Sequence, residues 1–295
     1  MESRWATSSL RRHGSCRLMR ILQLSDPHLV ADPGGLCRGR PALALLQRGV
    51  ETALARLTAE GLRPQRLLLS GDLCHEETWG GYARLRELLE TPPLAGLEPP
   101  LLLSGNHDHP ALLRAALGRR AWLAPGIRPI PCSGSAEADP GWSLLALDSH
   151  CSGRDGGRLE AAQWAWIERL LAPSDNTAPA SGPLLVALHH PPVPIGDPGF
   201  DAIALEEGER LVALLAASSR VRGVVFGHVH QYWRGELPGR PEVPLLGCPS
   251  TLCSFGAVQP CPQGREGDPG GLLLELTAEG VIRHRLLRWQ ASDRP

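Results

Sequence analysis

The 295-residue chain carries 30 basic and 31 acidic residues, a formal charge of −1 with histidine neutral, and 42% hydrophobic residues. This balance fits a soluble globular enzyme and excludes a surface dedicated to coating nucleic acid, which shows as a cationic excess or stripe. No run of about 18 apolar residues occurs, so no membrane-spanning helix is expected.

Residues 1–19 hold Arg4, Arg11, Arg12 and Arg17 against one acid, Glu2, and lack the apolar stretch of a secretory signal. They are expected to form a polar leader, disordered or a gene-start artefact, with Met19 directly before the first strand as the alternative start. The eight cysteines (16, 37, 74, 132, 151, 248, 253 and 261) include no Cys-x-x-Cys pair. Without a secretion signal they are expected to be reduced thiols in a cytoplasmic protein.

Strand-like and helical segments then alternate. A strand at 20–25 leads into a Gly/Pro-rich loop at 32–41 and a helix at 42–57, where Leu43, Leu46, Val50, Leu54 and Leu57 recur at helical spacing. A strand at 66–70 precedes a helix with Tyr82, Leu85 and Leu89; another at 101–104 precedes a short helix with Leu112, Leu113 and Leu117. Strands at 142–148 and 184–188 flank a helix at 159–171, on which Leu159, Ala162, Trp166 and Leu170 are expected to make the buried face. A helix ending near Ala216 and a strand at 223–226 follow. Beyond it the pattern changes to strands without helices at 243–248, 272–277 and 281–287, the last two joined by a turn at Glu279–Gly280. Alternation early and bare strands late predict an α/β fold with two packed mixed sheets covered outside by helices, in one domain over 20–289 with a short tail at 290–295.

Five strand ends carry metal-type ligands. ILQLSDPH supplies Asp26 and His28, RLLLSGD supplies Asp72, PLLLSGNHD supplies Asn106, His107 and Asp108, LLVALHH supplies His189 and His190, and GVVFGHVH supplies His228 and His230. A hydrophobic core has no use for such a set. Oxygen and nitrogen ligands in this number suit hard or borderline divalent cations, and Asp26, His28, Asp72, Asn106, His189, His228 and His230 suffice for two ions if one carboxylate bridges. Within Asp26/His28 and His228/His230 one residue intervenes, so in extended backbone both side chains would project to the same side. The glycine before Asp72, Asn106 and His228 allows a sharp turn and close backbone approach.

Asp-x-His, Gly-Asp, Gly-Asn-His-Asp, a His beside Pro and Gly-His-x-His, in that order over residues 21–230, resemble the calcineurin-like metallophosphoesterases. LALDSH, GGRLEAAQWAWIERLL, LHHPPVPIG, GHVHQ and CPSTLCSF are similar to blocks of the bacterial class III 3',5'-cyclic nucleotide phosphodiesterases, extending the resemblance to about residue 288. That resemblance implies a four-layer α/β/β/α sandwich. It implies Asp26, His28 and His230 on one ion, Asn106, His189 and His228 on the other, and Asp72 between them. The ions would be iron or manganese, with zinc, cobalt or magnesium also fitting these ligands. His107 would be the general acid on the leaving oxygen, with Asp108 orienting His107 or its loop. Substrate would contact His28, Asp72, Asn106, His107 and His230. The implied reaction is hydrolysis of 3',5'-cyclic AMP, or another cyclic nucleotide, to the 5'-monophosphate by metal-activated hydroxide, with a small-molecule partner and neither a nucleic-acid polymer nor a membrane. A broader phosphodiesterase or phosphomonoesterase acting on glycerophosphodiesters or 2',3'-cyclic nucleotides would use the same residues, and a non-catalytic metal-dependent binding protein is the alternative from another class.

Other residues have plainer expected roles. His190 is expected to pack behind the site, His75 and His109 to be exposed neighbours, Trp164 and Trp166 to pack between helix and sheet, and Arg119–Arg120 to end a helix. The loops at 32–41, which follows the first metal block, and 254–271, which is longer than packing requires, are the candidates for selecting substrate; loops longer than about 12 to 15 residues are often lids or binding loops. Neither spells out a base, and the oligomeric state is not written in the chain.

Overall fold

The computed structural model describes residues 18–92, 94–118, 120–130, 141–172, 182–265 and 267–289. The leader up to residue 17, the tail at 290–295, Arg119, Cys16 and Cys132 lie outside the described residues. The chain begins β1 (Met19–Leu24), β2 (Leu36–Cys37), β3 (Arg40–Pro41), α1 (Ala42–Ala59), β4 (Arg66–Leu69), α2 (Trp79–Leu89), β5 (Glu98–Leu102), α3 (Pro110–Leu117) and β6 (Trp122–Leu123). It continues β7 (Gly126–Ile130), β8 (Trp142–Ala146), α4 (Ala161–Leu171), β9 (Leu184–Ala187), α5 (Pro198–Asp201), α6 (Gly208–Ala217) and β10 (Val221–Phe226). It closes with β11 (Trp233–Leu237), β12 (Arg240–Gly247), β13 (Gly270–Leu276) and β14 (Ile282–Arg288).

Two six-stranded mixed sheets result, in the orders β14-β13-β1-β4-β5-β6 and β11-β12-β10-β9-β8-β7. In each, four neighbouring strands run parallel; antiparallel pairing adds β13 and β14 at one end of the first sheet, and β11 and β7 at the two ends of the second. The parallel strands are almost wholly apolar because both faces are covered. Their period of two sorts the residues into layers. Leu22, Leu24, Leu67 and Leu69 face α1, α2 and α3, while Ile21 and Leu68 face the other sheet. In the second sheet Leu184, Val186, Val224 and Phe226 face α4 and α6, while Leu185 and Val225 point inward. This is the expected α/β/β/α arrangement.

Three details differ from the expectation. The buried face of α4 is Gln163, Trp164, Ile167 and Leu171, one residue further on than expected, and Trp166 is only half-buried. Leu159 is buried but precedes the helix, so counting from it sets the wrong phase. Gln163 is inside because its amide bonds the backbone N–H (2.9 Å) and carbonyl (2.7 Å) of Asp148. The loop at 32–41 contains the β2–β3 hairpin, whose turn residues Arg38 and Gly39 both have positive φ, as tight two-residue hairpins demand. The loop expected at 254–271 ends as β13 starts. Gln259 accepts from Arg234 N (3.0 Å) and donates to Arg234 O (2.8 Å), covering the free edge of β11.

Trp142 joins the two sheets. It is 1% exposed in β8, packs in the inter-sheet core and donates from Nε1 to the Thr277 carbonyl at the end of β13 (2.7 Å). Trp142→Ala should therefore cost about 3–5 kcal/mol, as buried tryptophan truncations do. Urea unfolding of the metal-loaded protein checks this; a loss below about 1 kcal/mol would mean that the sheets are held together elsewhere.

Candidate metal centre

The parallel strands of both sheets point their C-terminal ends at one seam. Asp26 and His28 follow β1, Asp72 follows β4 and Asn106 follows β5 from the first sheet; His189 follows β9, and His228 and His230 follow β10 from the second. The paired residues do not sit in extended backbone as expected. Asp26, His28, Asp72, His228 and His230 all have positive φ, between 47° and 66°. Extended strand would send both side chains of a pair along one face of the sheet, whereas these turns aim them into the seam. Such backbone costs non-glycine residues about 1–3 kcal/mol each and persists where surrounding bonds over-determine it. Here the Asp26 N–H donates to Gly71 O (3.0 Å) and the His28 N–H to Asp72 O (2.9 Å). Gly71, at φ +104°, could not carry a side chain, since a Cβ would lie 2.2 Å from His189 Nδ1. Gly105 is required by proximity alone: a Cβ there would lie 2.1 Å from Asp72 Oδ1.

The donor atoms converge in two sets. In the first, Asp26, His28, Asp72 and His230 bring one ligand atom each within 4.8 Å of one another. His28 Nε2 faces His230 Nε2 at 3.1 Å, Asp26 Oδ1 lies 3.2 Å from His230 Nε2, and Asp72 Oδ2 lies 3.6 Å from His28 Nε2. In the second, Asn106 Oδ1 lies 3.3 Å from His189 Nε2 and 3.1 Å from His228 Nδ1, and Asp72 Oδ1 lies 3.4 Å from His189 Nε2. Asp72 thus turns one oxygen to each set. Ring nitrogens aimed at one another and at carboxylates around a common point are a donor set that a divalent cation fits. His190 also stands beside His189 and His228. Both its ring nitrogens are used, by Ser149 Oγ (2.8 Å) and Asp155 O (3.1 Å).

Neighbours fix the orientation of these rings. His189 Nδ1 meets the Ser70 carbonyl at 2.7 Å and His230 Nδ1 the Cys253 carbonyl at 3.1 Å, which places the proton on Nδ1 and frees each Nε2 for the centre. Ser250 Oγ, donating to Asp26 O (2.8 Å), holds the same segment against the site. Asp108 does not touch the His107 ring. Its fully buried carboxylate accepts from Leu73 N, Cys74 N, Gly105 N and Tyr82 OH at 2.8–3.1 Å, tying the Asp72 loop to the Asn106 loop. Its bonds run to the two loops and to Tyr82, and not to the His107 ring. His107 donates from its backbone to Asp72 Oδ1 (2.9 Å); its half-buried ring stacks on His75 and meets His28 edge-on, both centroids at 5.0 Å.

Sequence reasoning missed several contributors. His75 is no mere neighbour, since its Nδ1 lies 3.4 Å from His28 Nδ1. His150 pairs from Nδ1 with Gly105 O (2.9 Å), bracing the Asn106 loop, and had no motif to mark it. His109 caps α3, accepting the Leu112 N–H. The role of Cys253 lies in its backbone, which no residue type reveals.

Electrostatics separates the imidazoles. Burial disfavours the charged form of His28, His189, His228 and His230. At His189 it is overcome by Asp72, which pushes the pKa up to about 9; at His230 Asp26 overcomes it, to about 10. Burial prevails at His28 and His228, both lowered to about 3. Asp26 and Asp72 in turn are held below the usual carboxylate range, burial being outweighed chiefly by His230 and His189 respectively. Asp108, raised by burial and then by the nearby Asp72, moves up to about 6.

A two-sheet α/β sandwich whose strand ends gather His, Asp and Asn donors around a shared carboxylate defines a metallophosphoesterase. The chain belongs to the calcineurin-like phosphoesterase family, whose model matches residues 19–232. It is similar to a protein named as a probable cyclic nucleotide phosphodiesterase from Synechococcus sp. (strain WH7803), at 44% identity over 93% of this chain and 98% of that one. It is also similar to the 3',5'-cyclic adenosine monophosphate phosphodiesterase CpdA of Escherichia coli (strain K12), at 31% identity over 91% of this chain and 90% of that one. Among solved structures, a dimetal phosphatase from Danio rerio covers 94% of this chain and 100% of its own with a TM-score of 0.58, at 13% identity, a likeness of fold. Among the described residues no helix is long and apolar enough to cross a membrane. The described cysteines (37, 74, 151, 248, 253 and 261) are free thiols.

Two outcomes follow for the metals. Asp72→Ala should abolish binding of both ions, because both sets lose a donor; elemental analysis showing two tightly held ions in that variant would refute the bridge. Coordination also requires neutral imidazoles. With their pKa values raised to about 9 and 10, His189 and His230 should be protonated at pH 7.5 in the metal-free protein, so loading should release about two protons, and affinity should fall as pH drops. Calorimetry in buffers of different ionisation enthalpy reads this directly, and loading without proton release would contradict it. In the metal-free protein the raised values stabilise the fold fully below about 6.5, and that contribution is lost as pH rises through 9 to 10.

Proposed function

We propose that this chain is a phosphodiesterase that opens 3',5'-cyclic AMP, or a closely related cyclic nucleotide, to the 5'-monophosphate, with residues 20–289 acting as one unit in the cytoplasm. Asp26, His28, Asp72 and His230 would hold one divalent ion and Asp72, Asn106, His189 and His228 the other, with iron or manganese the first candidates. The observation that carries this reading is Asp72 turning one oxygen to each set, at 3.6 and 3.4 Å from their histidines, with the His107 ring edge-on to His28 beside them. Names given to relatives that align over nine-tenths of the chain support the substrate class. Free thiols fit a reducing compartment.

When bound, a metal pair supplies a water of lowered pKa and a clamp for phosphoryl oxygens. The chain's own part is to place and protonate. Five ligand residues at positive φ and the Asp108 bonds hold the centre rigid, so a diester meets preset charges and not ones that reorganise. His107 stands outside both sets, half-buried beside His28. From there its ring would give a proton to the departing 3'-oxygen, the role in which a histidine is worth about 10² to 10⁴ in rate. The net charge of −1 supplies no cationic excess of the kind polymer-binding surfaces carry, which favours a small diester.

The need for a general acid grows with leaving-group basicity. His107→Ala should retain both ions, lose about a hundredfold or more in kcat on cyclic AMP, and lose much less on bis(p-nitrophenyl) phosphate, whose nitrophenolate leaves unaided. Equal losses on both substrates with full metal content would make His107 a charge stabiliser. Loss of an ion would make it a ligand.

A further inference from the structure

Two phenylalanines border the metal centre, one beside each donor set. The Phe255 ring lies parallel to the His230 imidazole, 20° between planes and 4.7 Å between centroids. The Phe200 ring meets the His228 imidazole edge-on at 5.6 Å, and the two phenyl rings are 5.7 Å apart. Both are half-buried; Phe200 packs by one side against the core of the second sheet, and Phe255 belongs to none of the three core clusters. Arg38, at the tip of the β2–β3 hairpin, sets its guanidinium 5.0 Å from the Phe255 centroid. Phe200 and Phe255 come from separate loops: α5 carries one, and the CPSTLCSF segment, bound to the centre through Ser250 and Cys253, carries the other. Both loops thus bring an apolar ring to the rim of a charged site. Hydrolysis of a phosphate alone has no use for such rings. A substrate with a flat aromatic group does, because each base–aromatic stack tightens binding by roughly fivefold to a hundredfold whatever the base.

We infer that Phe200 and Phe255, with the Arg38 guanidinium, form a stacking wall that binds the nucleobase of a nucleotide whose phosphate sits at the two donor sets. This deepens the phosphodiesterase reading and rests on it. A phenyl wall recognises flatness and polarisability, not a hydrogen-bond pattern, so it selects bases over base-free sugar phosphates and discriminates weakly among bases. Arg38 is planar and cationic and adds attraction for π-faces as well as for phosphate. It is exposed on a hairpin tip, where it can move off Phe255 as a base moves on.

Calorimetry on the metal-loaded protein tests this with three probes: 5'-AMP, ribose 5-phosphate and inorganic phosphate. The native protein should bind 5'-AMP about tenfold or more tighter than ribose 5-phosphate. Phe200→Ala and Phe255→Leu should each remove most of that difference, Phe255→Trp should keep or widen it, and affinity for inorganic phosphate and metal content should not change. Equal binding of 5'-AMP and ribose 5-phosphate by the native protein would overturn the wall, as would a difference that survives both substitutions. Should Phe255→Leu disturb His230 and lose metal, Phe200→Ala with its metal content confirmed decides, since Phe200 meets His228 only edge-on. The diesterase reading fails separately: base-dependent binding without any turnover of cyclic nucleotides would sink that reading and leave the wall standing, whereas turnover without base dependence would sink the wall alone.

Discussion

The site is organised around buried negative charge. Asp26 and Asp72 are 0% and 3% exposed, and a carboxylate taken out of water costs several kcal/mol unless positive charge or donors replace its hydration. A third carboxylate, Asp108, is equally buried, and its surroundings show the alternative solution. Three backbone N–H groups and the Tyr82 hydroxyl satisfy Asp108 with no cation at all. Asp72, by contrast, receives the His107 N–H and otherwise faces imidazoles, and Asp26 receives the His228 N–H and faces His230. The same residue type therefore has two uses, decided by how many fixed donors surround it. A fully donated carboxylate ties loops together; a partly donated one remains available to a metal.

The seam between the sheets makes this arrangement possible. Asp26, His28, Asp72 and Asn106 come from the first sheet and His189, His228 and His230 from the second. Neither sheet alone completes either set, for His230 joins three first-sheet residues and Asn106 and Asp72 join two histidines of the second. Below the seam, Gln23 donates to Ser70 Oγ (3.0 Å) and Phe226 O (3.3 Å), and Ser70 Oγ donates to Ser25 Oγ (2.8 Å), so the layer beneath the centre is hydrogen-bonded across the two sheets. Packing of Trp142 and the leucines of the inter-sheet core thereby fixes ligand distances as well as stability.

Much of this was legible in the sequence, for identifiable reasons. Apolar runs such as RLLL and LLVA end abruptly at Gly, Asp or His, and a strand buried on both faces leaves no other trace. The metal-type side chains were visible because nothing else explains their number. What escaped was geometry that residue type does not encode. Positive φ at His28 or His230 depends on bonds to another loop, the tautomer of His230 depends on a carbonyl 23 residues away, and the face of α4 depends on a glutamine buried for its amide. The short strands β6, β7 and β11 were also invisible: β6 is two residues long, and Pro, Arg or Gly inside β7 and β11 hides any alternation. Phe200 and Phe255 sit in loops, where an aromatic residue carries no periodic signal.

The left-handed backbone of the ligand residues has a consequence for how such a motif can be moved. Unfolded chain seldom visits that region at aspartate or histidine, and almost never at several nearby residues together. A peptide containing Gly227, His228, Val229 and His230 would hold its imidazoles in other directions, whatever its affinity for metal as a flexible chelator. The five ligand segments are thus modular on paper only. Transplanted singly into another scaffold they would bring residues without direction; the direction belongs to the neighbouring loops that bond to them.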